Sequence, residues 1–413
     1  MPRSACSLKN LNGTPSPPGN DMDVVHLTRE LVKIKSENPP GNTEEVIHYI
    51  KGFLDSLGVR TDIIRNRGGR DNLISKHLNH HLLLCGHVDV VPAMAEGWGH
   101  PPFSGEIDEG YLYGRGSTDM KGGCAALLSS YQRLLDKGIE PDADFLFVCD
   151  EETSGTYGIR CVLSKDLLRP CDVIIAEPCP ELNPNIGEKG LCRIDLHFRG
   201  EPGHGSLYPT RGVSAVMEAY QTLEYLRKIH RHEYHVGGEV DVIIEQSSTV
   251  LRDILAIDEA KHVLRRVMFN PGRIEGGEKA NIVAQHCDLQ LDIRVPWGCS
   301  IPDLITDIAR HSPGASIEQV SISDPSMTSP DCRLVEVTCQ EISRAYGLPA
   351  QPIVMWAASD ARYLRTEGFR VVEYGPGEIT SLHAVNERVS VEALGKATGI
   401  FEGIIRNFKT DHD

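Results

Sequence analysis

The stretch from Leu82 to Met120 decides the reading of this chain: LLLCGHVDVVPA at 82–93, GW at 97–98 and FSGEIDEGYLYGRGSTDM at 103–120. The apolar and β-branched run Leu82 to Val91 predicts a buried strand. His87 and Asp89 interrupt it near its carboxyl end, at i and i+2, where strand side chains share a face. An imidazole and a carboxylate on an otherwise apolar strand are costly unless something uses them. Further on, GRGSTDMKGG at 114–123 presents Asp119 among glycines, just ahead of a helical pattern. A histidine, two carboxylates and a glycine-rich turn suit a metal site of hard and borderline ligands.

The chain has 413 residues, 40% hydrophobic and 24% charged, an ordinary globular composition whose length predicts two domains. A net charge of −16 argues against a nucleic-acid backbone or an anionic membrane as partner. No apolar run reaches the roughly 18 residues of a membrane span. The opening MPRSACSLKNLNGTPSPPGND has no apolar signal core and reads as a disordered leader over 1–21, with Met22 as an alternative start. The 12 cysteines are scattered without a CxxC pair. Cys85, Cys124, Cys149 and Cys192 lie in apolar runs, as small buried hydrophobes do in a reducing cytoplasm.

Outward from that stretch, Val24, Leu27, Leu31 and Ile34 recur at helical spacing until Pro39-Pro40-Gly41. Asn42, with Glu45 three residues later, predicts the cap of a second helix whose apolar face is Val46, Ile50, Phe53, Leu54 and Leu57. A strand follows at Val59–Ile64, a helix from Lys121 to Lys137, a strand at Phe145–Cys149, a helix reaching Leu168 and a strand at Val173–Ala176. This alternation predicts an α/β layered domain with a mainly parallel sheet. The character changes near Ile186: strands at Cys192–Arg199, Arg273–Ile274, Cys287–Arg294 and Ser316–Ser321, and helices at Gly212–Lys228 and from Pro302, resemble a β-α-β-β-α-β insertion. Residues 229–270 are ambiguous, with helix expected after Val250. The α/β pattern then resumes with a helix at Asp331–Tyr346, a strand at Arg370–Tyr374 and a closing helix at Val391–Ile405.

Candidate ligands follow successive strands. His87 and Asp89 end one, Asp150-Glu151-Glu152 ends another, Glu177-Pro178 a third, and His383 lies beyond the last; Asp119 opens a helix. Each alone is commonplace: HxD pairs sit on surface loops, acidic runs on solvated turns. Their joint placement is what matters, because open α/β sheets put their sites at the carboxyl ends of strands. Two histidines and three carboxylates converging there suit two divalent ions that share one carboxylate.

The ordered marks GHVDVVP, GRGSTDMKGG, CDEETSG, AEP, RGEPGHGS, NIVAQHCDLQLDIR and GPG followed by His383 resemble the co-catalytic zinc amidohydrolase and exopeptidase family. That family includes succinyl-diaminopimelate desuccinylase, acetylornithine deacetylase, aminoacylase and glutamate carboxypeptidase. The resemblance spans Val24 to Phe408. It implies a zinc-exopeptidase-type α/β/α catalytic domain over 22–187 and 328–413, with an inserted ferredoxin-like α+β lid and dimerisation domain over 188–327. It implies two divalent ions, zinc first and cobalt as a substitute, held by His87, Asp119, Glu152, Glu177 and His383: Asp119 would bridge, His87 and Glu177 would each hold one ion with a partner, and Glu152 would complete one site and His383 the other. Asp89 would orient His87 and raise its basicity. Glu151 would be the general base acting on the zinc-bound water, whose pKa falls to ~7. His204 would donate to the oxyanion. The family also tends to have a cis peptide after the bridging carboxylate, here Asp119–Met120.

For the substrate, Asn281 and Arg294 match residues that hold a carboxylate, and a guanidinium suits bidentate binding. Gly375 and Gly377 would line the pocket with backbone groups. Ser359-Asp360 resembles a pair near the substrate in desuccinylase-like members, although Trp356-Ala357-Ala358 departs from the usual small-residue run. Desuccinylases tend to carry arginine near Gly187–Gly190; Glu188 and Lys189 stand here instead, which turns the reading away from succinyl-diaminopimelate itself. The expectation is a cytoplasmic homodimeric hydrolase, of deacetylase or desuccinylase type, that cleaves the amide of a small N-acyl amino acid. A metallo-dipeptidase or carboxypeptidase is the alternative, followed by a non-catalytic binding protein on the same scaffold.

Overall fold

The computed structural model describes residues 23–76, 78, 81–93 and 96–408. The leader 1–21 and Met22 lie outside the described residues. The chain forms two compact units: Met1–Ile186 with Thr328–Pro352 and Tyr363–Asp413, and Gly187–Met327 with Ile353–Arg362.

In the first unit the central sheet runs Thr61–Ile64, Asn72–Ser75, Asp144–Val148, Leu82–His87, Asp172–Ile175, Arg370–Glu373. The last four are mutually parallel, and the first two join antiparallel. Every residue of Leu82–His87 and of Asp144–Val148 is buried, so both sheet faces are covered, as parallel strands require. Helices Val24–Lys33, Lys121–Asp136 and Val391–Asn407 pack on one another, and Glu44–Ser56 packs on the first two strands. A three-stranded sheet sets Arg388–Ser390 against Tyr111–Tyr113, which in turn pairs with Glu106–Asp108.

The second unit has the order Gly190–Arg199, Ala215–Ile229, Met268–Gly276, His286–Val295, Ile301–Arg310, Ala315–Ser323: a β-α-β-β-α-β fold. Its antiparallel sheet places Met268–Gly276, His286–Val295, Gly190–Arg199 and Ala315–Ser323 side by side in that order, the ferredoxin-like arrangement. Cys192, Ile194, Leu196 and Phe198 face Ala215, Ala219, Leu226, Ile301, Leu304 and Ile308 in one core. Alternation puts Arg193, Asp195, Asp292 and Arg294 on the other, polar face.

Several expectations need correction. The strand from Leu82 ends at His87, so Asp89 lies beyond it rather than beside His87 on the pleat. Asn42 caps from one position further out: helix Glu44–Ser56 follows Thr43, while Asn42 Oδ1 accepts from Glu44 N at 3.0 Å. The helix expected up to Leu168 covers only Ile159–Ser164, because Glu151–Thr153 is a separate turn flanked by left-handed Asp150 and Ser154. Residues 229–270 contain helices Gly238–Leu255 and Ala260–Arg265. The segment Ile353–Arg362, read with 328–413, belongs to the second unit, where Val354 N donates to Ser247 Oγ at 2.9 Å. No helix of the described residues is long and apolar enough to cross a membrane.

Candidate metal centre and its flanking residues

Three strand ends, the turn before helix Lys121–Asp136 and the loop after Arg370–Glu373 bring the candidate ligands of the first unit to one place. His87 Nε2 lies 3.0 Å from Asp119 Oδ1 and 3.6 Å from Glu177 Oε1. His383 Nε2 lies 3.2 Å from Asp119 Oδ2 and 3.3 Å from Glu152 Oε2. Two groups result, His87–Asp119–Glu177 and Asp119–Glu152–His383, each with its ligand atoms within 4.8 Å of one another. Asp119 belongs to both, through different oxygens. Glu152 and His383 therefore fall in the same group, not one in each as the resemblance implied, because His383 Nε2 stands against Asp119 Oδ2 and Glu152 Oε2 alike. Ligands ~2.0–2.1 Å from a tetrahedral ion stand roughly 3.3–3.4 Å apart, so these spacings suit an ion in each group. Glu152 Oε1 is buried with no hydrogen-bond partner among the described residues. A stranded carboxylate oxygen is costly, and a cation at its side removes that cost.

The backbone is shaped for this convergence. Asp119–Met120 is a cis peptide, and His383 sits at φ 60° in the left-handed region. Gly375 and Gly377 lie against the end of the Glu177 strand: a Cβ on Gly375 would stand 2.1 Å from Ala176 O, and one on Gly377 2.8 Å from Pro178 Cβ. Only glycine admits so close an approach.

Charge follows geometry. Burial, with the neighbouring Asp119, Glu151 and Glu373 charges, pushes the Glu177 carboxyl well above its usual range despite His87. Burial alone would lower His87, but Glu177, Asp119 and Asp89 hold it well above its ordinary value. Hydrogen bonds to Asp119 and Glu152 lift His383 to about 10. Asp119, against its burial, is lowered by His383 and His87. Three carboxylates against two imidazoles favour positive charge between them.

Asp89 organises the surroundings. His87 Nδ1 meets its backbone oxygen at 2.9 Å and its Oδ1 at 3.5 Å. Its two carboxylate oxygens accept the backbone N–H groups of Glu151 and Glu152, each at 3.2 Å. Asn38 Nδ2 donates to Asp89 at 2.9 Å and to Asp150 at 3.0 Å. Asn38 was missed from the sequence; a lone asparagine ahead of Pro39-Pro40 carries no signal beyond a turn.

The other expected residues lie in the second unit. Asn281 O accepts from Gly205 N at 2.9 Å, which brings His204 and Asn281 next to each other. His204 Nδ1 lies 2.8 Å from Ser206 Oγ and 3.3 Å from Ser206 N, which leaves Nε2 facing away from Ser206. Arg294 is already engaged: Nε and Nη2 fork onto Asp292 at 2.7 and 3.2 Å, and Arg193 shares that carboxylate at 2.8 Å. Ser359 Oγ accepts from Ala361 N, and Ser359 N donates to Glu188 Oε2 at 2.6 Å. Lys189 Nζ, 1% exposed, donates to Val263 O and Arg266 O at 2.7 and 2.6 Å.

Residues 83–407 match the model of peptidase family M20/M25/M40. The chain is 30% identical over 345 residues to a succinyl-diaminopimelate desuccinylase of Helicobacter hepaticus, covering 80% of each protein. An M20 family metallo-carboxypeptidase of Sulfolobus solfataricus has the same fold, with TM-score 0.78 at 22% identity over 93% of this chain and 99% of that one. Human carnosine dipeptidase 1 also superposes, with TM-score 0.73 at 15% identity over 92% and 95% of the two chains. The chain belongs to peptidase family M20/M25/M40 and is a hydrolytic enzyme acting on amides.

Proposed function

We propose that this enzyme removes a small acyl group from an N-acyl amino acid by hydrolysing the amide beside a free carboxylate. The observation that carries the reading is the pair of ligand groups sharing Asp119, with Glu151 on the same turn as Glu152. His87, Asp119 and Glu177 would hold one divalent ion, and Asp119, Glu152 and His383 the other, zinc being the first choice and cobalt a substitute. Bound there, the two ions supply positive charge that acidifies a water and stabilises negative charge on the attacked carbonyl.

The remaining work falls to the chain. Glu151 takes the proton of the attacking water and returns it to the leaving nitrogen. Asp89 keeps Glu151 and Glu152 in register by accepting both their N–H groups. His204 donates to the oxyanion. Arg294 and Asn281 receive the substrate carboxylate, Arg294 exchanging Asp292 for it. Ser359 and the backbone of Gly375 and Gly377 are further proposed substrate contacts.

Glu188 and Lys189 bear on the acyl group. Both are buried and bonded to the protein's own backbone, so neither offers a cation to a second carboxylate. This favours a neutral acyl group such as acetyl over succinyl. The same argument admits a dipeptide, and the metallo-dipeptidase or carboxypeptidase reading stands second for that reason. The reading includes a homodimer: Val216, Met217 and Tyr220 leave the outer face of Ala215–Ile229 apolar and exposed, and a second copy is the partner. It also places the enzyme in the cytoplasm, in keeping with free thiols at every described cysteine.

The test is a hydrolysis screen of N-acetyl amino acids, N-succinyl amino acids and dipeptides with added Zn²⁺ or Co²⁺. N-acetyl substrates should turn over fastest. Preference for dipeptides would select the second reading, and preference for N-succinyl substrates would overturn the assignment of Glu188 and Lys189.

A further inference from the structure

One carboxylate outside the candidate ligand set holds the backbone of the Asp119 turn and pairs with the arginine that reaches His383. Glu387 is fully buried. Its Oε1 accepts three backbone N–H groups of a single turn: Gly116 at 3.0 Å, Thr118 at 3.0 Å and Asp119 at 3.1 Å. Its Oε2 takes Arg115 Nη1. The other arm of Arg115, Nη2, donates to the backbone oxygen of His383 at 3.1 Å. Arg115 is 4% exposed, and its guanidinium lies 5.4 Å from the centre of the Trp98 ring. Two further bonds tie the same segments: Gly114 N to Glu387 O at 2.8 Å, and Thr118 Oγ1 to Arg388 O at 2.5 Å.

We infer that Glu387 is a positioning residue that, with Arg115, sets the Asp119 turn and the His383 loop in register for the second ion. The inference rests on the two-ion reading proposed above. Asp119 and His383 are more than 260 residues apart in sequence, by the separation of their partners, and neither lies on a shared strand. His383 also adopts a left-handed conformation that a loop alone does not favour. The chain from Glu387 through Arg115 to His383 O supplies the restraint.

The chemistry demands a carboxylate. Three convergent N–H groups form an anion-binding concavity, and the guanidinium completes it on the other oxygen. A glutamine has one acceptor oxygen. It can serve the N–H groups or Arg115, and its amide hydrogens repel whichever is left. A lysine in place of Arg115 keeps the charge but loses the fork, so it cannot reach Glu387 and His383 O together.

The two ligand groups respond differently. His87 and Glu177 stand at the ends of paired strands of the central sheet, independent of Glu387. His383 enters only the group with Glu152. Loss of the Glu387–Arg115 chain therefore weakens the Asp119–Glu152–His383 group more than the other. Partners of metal ligands typically change affinity by ~10–100-fold when removed.

The experiment is calorimetric titration of Co²⁺ into the metal-stripped full chain, followed in parallel by the visible Co²⁺ spectrum. Wild type should bind two ions. Glu387→Gln and Arg115→Lys should each weaken both ions somewhat through the shared Asp119, and the ion of the His383 group ~10–100-fold more than the other. A general loss of stability would not separate the two sites in this way, and Arg115→Lys, the milder change, serves if Glu387→Gln does not fold. Two undisturbed sites in both variants, or equal weakening of both, would overturn this inference alone. Fewer than two ions on wild type would overturn the two-ion reading and this inference with it.

Discussion

Asp89 and Glu151 are joined by a hydrogen bond from the Glu151 backbone N–H to Asp89 Oδ1 at 3.2 Å, although 62 residues separate them. Asp89 Oδ2 does the same for Glu152 at 3.2 Å, while the Asp89 backbone oxygen holds His87. One aspartate thus connects a candidate ligand from each group with the candidate base. Asp89→Asn puts an amide donor against a backbone N–H and should lower activity by ~10–100-fold. Unchanged turnover in steady-state kinetics would remove Asp89 from this role.

Glu151→Gln keeps the shape of the turn and removes the proton acceptor. It should bind two ions as wild type does, measured by elemental analysis, and lose at least ~10²-fold in kcat. Near-normal turnover would assign the base elsewhere.

Arg294→Ala should raise KM far more for substrates with a free α-carboxylate than for their amides, since a fork of two donors suits a carboxylate. Its present partner is Asp292, and Arg193 remains to hold that group when Arg294 turns to substrate. Equal KM changes on acid and amide would take Arg294 out of the pocket.

Lys189 gives a pH dependence remote from the candidate ligands. Burial, with the Arg294 charge adding to it, lowers its pKa from 10.5 to about 7. Between those values the unfolded chain holds a proton that the folded chain has released, so stability rises with pH across the window. The contribution is complete above 10.5 and is lost as pH falls through about 7. Urea midpoints of wild type should therefore climb relative to Lys189→Met from pH ~7 to ~9. Parallel midpoints would mean that the ammonium stays charged in the fold.

The proposed homodimer predicts complementation between inactive chains. His204→Ala should lose ~10²–10³-fold in kcat, the cost of one oxyanion donor. If His204 serves the partner's site, mixing His204→Ala with Glu151→Gln subunits should restore activity in hybrids holding one site with both groups. Demonstrated subunit exchange with no recovery would place His204 in its own chain's site or outside catalysis.

The amino-acid sequence by itself determined where ligand-type residues stand relative to the strands. Apolar runs ending at His87, at Val148 ahead of Glu152 and at Ile175 ahead of Glu177 are local patterns, and burial on both faces makes them continuous. The βαββαβ order of the second unit was legible for the same reason, through the alternation at Cys192–Arg199. The three-residue strands Glu106–Asp108, Tyr111–Tyr113 and Arg388–Ser390 were not, since so few residues carry no period. Only the tertiary structure decided which carboxylate meets which histidine, because that depends on strand order in the sheet: Leu82–His87 lies between Asp144–Val148 and Asp172–Ile175. It also decided the parts played by Asn38, Arg115 and Glu387. Each is a single polar residue in a loop, and its side-chain partners lie 51 to 272 positions away. The cost of leaving such groups unpaired is set by burial, which no local spacing reveals.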